Sequence, residues 1–251
     1  MGCITARGDW TLNDAPKSAH VETNAQHSTT DFLIAGFKLE DYLQSQKTYL
    51  DRCSALALAG CALALGDAGV QWPAAEADDF GITLGTHLGC IETMKAFWDK
   101  TTGSGVRGAS PLLFSHSYFN SPISLCAIEF GLKGYHATFC AGQDSGLEAV
   151  RAARDAIRLG HARAMLCGGV EALCPARAQL EPAPKLGEAA VFFVLESAAR
   201  ATRRCAEHPR AFDIRVLESA ATRHNEVRDR FGDCGGAQSA LAVALCVADL
   251  E

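Results

Sequence analysis

Apolar residues dominate one long stretch of this chain, Ala55 to Leu65, where alanine and leucine alternate almost without a polar break. A run of this kind predicts a core helix, with alanines that permit close packing. It is far short of the ~20 residues that span a bilayer. Shorter apolar runs at Phe80 to Thr86, His136 to Ala141, Ala162 to Gly168, Ala190 to Leu195 and Phe212 to Glu218 predict strands, separated by helical stretches. Such alternation predicts a mainly parallel, helix-covered sheet. Between Ser145 and Leu159 the period becomes 3.6. Leu147, Val150, Arg154 and Ile157 fall on one stripe, while Glu148, Arg151, Asp155 and Arg158 line another with opposite charges placed to pair. Residues 9–31 are polar and aperiodic and predict an irregular loop. Prolines at 73, 111, 122 and 175–184 punctuate loops, and no long linker or repeat divides the chain.

Composition narrows the class. The 251 residues are 48% hydrophobic, enough for a substantial core in one α/β domain. A net charge of −6 argues against nucleic acid, which requires a basic field to displace counterions. The basic cluster Arg200, Arg203, Arg204 and Arg210 reads as a solvated helix end rather than a docking patch. Eleven cysteines are spread singly, with no CxxC pair and no secretory leader, and read as reduced, cytoplasmic thiols. The histidines lack metal-site spacing, so neither a metal nor a cofactor is expected.

A core segment, Gly131 to Glu171, and five further blocks in order carry a more specific signal. Met1 to Gly8, MGCITARG, is followed by the helix Asp51 to Gly69, DRCSALALAGCALALGDAG, and by FGITLGTHLGCIET at Phe80 to Thr93. Ser110 to Gly134 leads into Gly131 to Glu171, and LGEAAVFFVLE follows at Leu186 to Glu196. Together they closely resemble the β-ketoacyl synthases, the thiolase-fold enzymes that extend fatty acids and polyketides. The first block is similar to that family's opening without the strand that normally precedes it. The resemblance implies a thiolase-like α/β fold with a near-complete first half, residues 1–200, and a strongly truncated second half, residues 201–251, in one domain.

Counting forward from Gly131 and back from Glu171 places Gln143 where the family carries its nucleophilic cysteine. A carboxamide cannot attack a thioester. Cys140, three residues earlier in the apolar strand ending at Ala141, is expected to be an inert buried thiol. The stretch from Arg228 resembles the family's second histidine motif, with Arg228 at its lysine, Gly232 at its glycine and Asp233 at its histidine. No counterpart of the first histidine motif is present. Imidazoles there would donate hydrogen bonds to a developing enolate, whereas an ionised aspartate only accepts.

Loss of nucleophile and donors together resembles the chain-length factor, a ketosynthase-like subunit that pairs with a catalytic ketosynthase. The resemblance implies no independent activity, a heterodimer with that ketosynthase, and contact with acyl carrier protein mainly through the partner. It places the edge strand His136 to Ala141, with Phe139 and Cys140, at the subunit interface. The loop Phe114 to Asn120 lies there too, with Phe114, Tyr118 and Phe119 as candidate floor of the acyl tunnel and Asn120 at a family asparagine. Two rivals remain: a malonyl-carrier-protein decarboxylase of the glutamine type, which still requires the histidines, and a purely structural or regulatory ketosynthase partner.

Overall fold

A computed structural model describes residues 2–5, 8–11, 32–47, 49–73, 77–182, 185–197, 199–201 and 223–248. The expected strand at Phe212 to Glu218, and Arg203, Arg204 and Arg210, lie outside these residues.

Six strands form one sheet: β1 (Gly2–Thr5), β2 (Gly8–Thr11), β3 (Phe80–Gly85), β4 (His136–Phe139), β5 (Ala164–Glu171) and β6 (Ala189–Glu196), in the order β2-β1-β6-β5-β3-β4. Strand β3 pairs in parallel with β4 and β5, but β6 runs antiparallel to β5 and β1, and β1 runs antiparallel to β2. The expectation of a mainly parallel sheet is therefore corrected to a mixed one. Its physical cause lies in the β5–β6 connection. The helix there, α6 (Pro175–Leu180), has 6 residues and spans roughly 9 Å, against about 26 Å for the 8-residue β5. No helix among the described residues of the connection runs back along β5, and β6 starts at the end where β5 stops, Ala189 opposite Glu171. Residues 9–11 are also strand rather than loop, their backbone pairing with β1.

Helices cover both faces. One face carries α1 (Arg52–Asp67) and α4 (Ser121–Phe130), the other α5 (Ser145–Arg158) and α8 (Gln238–Ala248). Alternation along the strands divides the core accordingly. Ile82, Leu84, Leu166 and Phe192 join the α1–α4 cluster, while Met165, Cys167, Val191 and Phe193 join the α5–α8 cluster with Val227 and Phe231 of α7 (His224–Phe231). The apolar run behaves as its composition predicts: from Leu56 to Ala59 every residue of α1 is wholly buried. Asp51 caps this helix, its carboxylate accepting from Cys53 N at 2.8 Å and Thr93 Oγ1 at 2.7 Å. A second buried carboxylate, Glu188, accepts from Arg52 at 2.6 and 2.8 Å, from Ile34 N and from Leu173 N, tying α1 to the start of β6.

On the opposite face, α5 approaches β5 more closely than side chains allow. A Cβ at Gly169 would lie 3.1 Å from the Gly146 Cα and 2.8 Å from the Gly236 carbonyl oxygen. This contact brings the start of α5 against the turn that precedes α8. The charged stripe of α5 pairs as expected, Glu148 with Arg151 at 2.6 Å; Arg154, placed on the apolar stripe, instead pairs with its neighbour Asp155 at 2.8 Å.

Replacing Leu58 by alanine removes a fully buried side chain from the α1 core and is expected to cost about 3 kcal/mol. Urea denaturation of the two proteins measures it; a change below about 1 kcal/mol would mean that this core is loosely packed.

Candidate functional site

Between β4 and α5 the chain makes a single 3₁₀ turn, Gly142–Asp144, which carries Gln143. Ser145 fastens the turn: its hydroxyl donates to Gly142 O at 2.6 Å and accepts from Ala141 N at 2.8 Å. Facing it, Gly232 ends α7 with φ +78° and turns the chain so that Asp233 points back at Gln143.

Gln143, Asp233 and Arg228 converge. Gln143 Nε2 donates to Asp233 Oδ2 at 2.9 Å, and Arg228 Nη2 donates to Gln143 Oε1 at 3.3 Å. Arg228 Nη2 also lies 3.9 Å from Asp233 Oδ2. The amide thus bridges a carboxylate and a guanidinium, each matched to the end of the amide that can bond it. The other carboxylate oxygen of Asp233 accepts from Gly235 N at 3.0 Å.

Two wholly buried charges hold this arrangement in place. Arg177, at the start of α6, is 0% exposed and donates to the backbone oxygens of Asp233 and Gly187, both at 2.8 Å, and to Glu181 at 3.1 Å. Glu171, at the end of β5, accepts from His87 N at 2.6 Å, Gly236 N at 2.9 Å and Leu88 N at 3.1 Å. Burial raises the Glu171 carboxyl above its ordinary range, opposed by the Arg177 charge and the three N–H groups. Glu171 thereby joins the turn 86–89 to the turn 235–237 beside Asp233. Neither residue was singled out from the sequence, although a charge directly ending the apolar strand Ala164–Glu171 was a readable signal.

The remaining predicted residues form a second group. Phe114 sits in a short helix, α3 (Pro111–His116), not in a loop; Pro111 at its start and the Ser110 cap, which accepts from Leu113 N, explain the difference. Phe114, Tyr118 and Phe119 are 47%, 47% and 38% exposed, so they are not core. Phe97, Phe114 and Tyr118 form an aromatic row with centroid spacings of 5.5 and 5.1 Å. Phe119 packs on Gly89, where an added Cβ would lie 3.1 Å from its ring. Asn120 precedes α4 without capping it. The turn 86–89 therefore touches both the aromatic group and, through Glu171, the Gln143 group.

Cys140 requires a correction: it is exposed, not buried, because β4 ends at Phe139 and the sulfur lies beyond the sheet edge. Partial desolvation and the Glu171 carboxylate push its thiol up, the opposite of what a nucleophile needs. Phe139 is half-buried on β4, which pairs with β3 on one side and lies at the sheet edge. Among the described residues no cluster of metal-binding side chains is present, and no helix is long and apolar enough to cross a membrane.

The fold and this position at the β4–α5 turn define a thiolase-like ketosynthase scaffold. The model of the β-ketoacyl synthase N-terminal domain matches residues 6–181, and the chain belongs to that family. It is 30% identical over 138 residues to the tetracenomycin polyketide synthase ketoacyl synthase alpha subunit of Streptomyces glaucescens, covering 51% of this chain and 31% of that protein. The chain spans about a third of the length of the curated relatives it matches. Among solved structures it is similar to the ishigamide ketosynthase/chain length factor, with TM-score 0.64 and 20% identity over 100% of this chain and 90% of that one. A type II polyketide synthase acyl carrier protein in complex with its ketosynthase gives TM-score 0.61 and 21% identity, covering 81% and 62% of the two chains.

Replacing Arg177 by methionine leaves Glu171 buried without its cation, at an expected cost of about 3–5 kcal/mol near pH 7. A carboxyl raised above its ordinary 4.5 on folding binds its proton more tightly in the folded chain. Its stabilising contribution is complete below 4.5 and is lost as pH rises through the folded value. The deficit of the variant should therefore shrink as pH falls through that value; a pH-independent deficit in urea denaturation would assign Arg177 a packing role only.

Proposed function

We propose that this chain is a non-catalytic, chain-length-factor-like subunit that pairs with an active ketosynthase in type II fatty acid or polyketide biosynthesis of the polyene type. The observation that carries this reading is the occupied amide of Gln143. Both its polar ends are bonded within the chain, to Asp233 and Arg228, so the group at the nucleophile position cannot attack a thioester and already commits one of its two N–H donors to Asp233. Asp233 stands where an imidazole would donate to an enolate. These features favour a subunit that works by contact, in the cytoplasm, with the whole of residues 1–251 acting as one ketosynthase-like unit.

In this reading β4 joins its edge to the sheet of the ketosynthase, which supplies backbone partners for an otherwise open strand. Phe139 and Cys140 lie at that junction. The exposed row Phe114, Tyr118 and Phe119 meets the partner beside the acyl tunnel and limits the growing chain, and Asn120 anchors the segment. Acyl carrier protein docks on the catalytic partner rather than on this acidic subunit. No metal or cofactor takes part.

Co-expression with a ketosynthase from the same source tests the proposal. A one-to-one complex is expected, with the ketosynthase inactive or altered in product length when expressed alone. Carbon dioxide released from malonyl-carrier protein by this chain alone would instead make it a decarboxylase. Tyr118→Ala and Phe119→Ala are expected to lengthen the product by at least one extension unit while leaving the complex intact. Unchanged product length in an intact complex would leave only a structural or regulatory role.

A further inference from the structure

Four of the buried cysteines lie along α1 and its neighbours in two interacting pairs, Cys53 with Cys90 and Cys61 with Cys126. Cys61 of α1 and Cys126 of α4 bring their sulfurs to 3.8 Å, and both are 0% exposed. Cys90, by comparison, lies 3.5 Å from the Ser54 hydroxyl. We infer that Cys61 and Cys126 form an oxidisable dithiol, whose disulfide fastens α4 to α1.

The sulfurs must close from 3.8 Å to about 2.05 Å, so the bond draws α4 toward α1. The oxidant is a small hydroperoxide. The thiolate of one cysteine attacks the O–O bond, forming a sulfenic acid as the other oxygen leaves as water. The second sulfur then displaces the sulfenic oxygen as a second water. Two thiols and one hydrogen peroxide give one disulfide and two waters. Burial, reinforced by Cys126, pushes the Cys61 thiol up. It is therefore protonated at rest, and reaction proceeds through transient opening of α4. That helix has 10 residues, and its outward-facing Ile128 is 74% exposed.

The place of α4 gives the cross-link its consequence. It follows the segment Phe114–Asn120 and, through Gly131, leads to the edge strand β4. Fixing α4 restricts both elements assigned above to the partner interface; this consequence, unlike the cross-link, rests on the proposed subunit role.

Treatment of the native chain with hydrogen peroxide, followed by alkylation under denaturing conditions and peptide mapping, tests it. A Cys61–Cys126 linked peptide is expected, lighter by two hydrogens and cleaved by dithiothreitol. Its formation should accelerate several-fold in sub-denaturing urea, and the oxidised chain should unfold at a higher midpoint that reduction reverses. In Cys126→Ala no linked peptide should form. Consumption of Cys140 while Cys61 and Cys126 stay fully alkylatable would overturn the inference, as would linkage of either to another cysteine. No ketosynthase enters the measurement, so its failure is separate from failure of the subunit role.

Discussion

Burial of Glu171 and Arg177 in one small volume is the constraint on which the site depends. Removing an ion from water costs several kcal/mol, and neither residue has a solvent route to relieve that cost. Their bonds instead go to backbone. Glu171 collects three N–H groups from two separate turns, and Arg177 spans two carbonyls and the Glu181 carboxylate. Between them the contacts join segments distant in sequence: residues 86–89, 171–188 and 233–236. A displaced loop would strand a buried charge, so the loop bearing Asp233 is held in one position.

That rigidity explains why Gln143, Asp233 and Arg228 meet. Gln143 is fixed by the Gly142–Asp144 turn and Asp233 by Arg177, so their contact at 2.9 Å follows from two independently anchored backbones. Position 143 and position 233 remain within side-chain reach of each other although neither carries reactive chemistry. At these positions the side chains serve cohesion, Gln143 bridging the Asp233 carboxylate and the Arg228 guanidinium. Hydrogen bonds to charged groups contribute roughly 1.5–3 kcal/mol in general, and less where solvent screens the charge, as at the half-exposed Arg228.

Much of this was legible in sequence. The α1 core helix, four of the strands and the pairing of Glu148 with Arg151 follow from periodicity, because burial and helical spacing leave direct traces in residue order. Family resemblance aligned Gln143, Asp233 and Arg228 as equivalents of one site before any coordinates. The antiparallel β5–β6 pair was not legible, since the direction of a strand depends on how far a short helix can carry the chain. Cys140 was misplaced for a related reason: an apolar sequence continues past the last hydrogen-bonded residue, and composition does not record where the sheet edge falls. The network of Glu171, Arg177 and Glu188 escaped because each charge looks ordinary until its burial is known.

The three side chains are also physically coupled, which bears on what position 143 can carry. Asp233 accepts a hydrogen bond and supplies negative charge at the point where Gln143 donates. A cysteine returned to position 143 would face that carboxylate, and a neighbouring negative charge raises a thiol's pKa and lowers its thiolate fraction. Arg228 offsets part of this effect, but it lies 3.9 Å from Asp233 and is nearly half exposed, where water screens its charge. An amide avoids the conflict by satisfying both neighbours without carrying charge. A sulfur at position 143 would therefore be held toward its protonated form by Asp233.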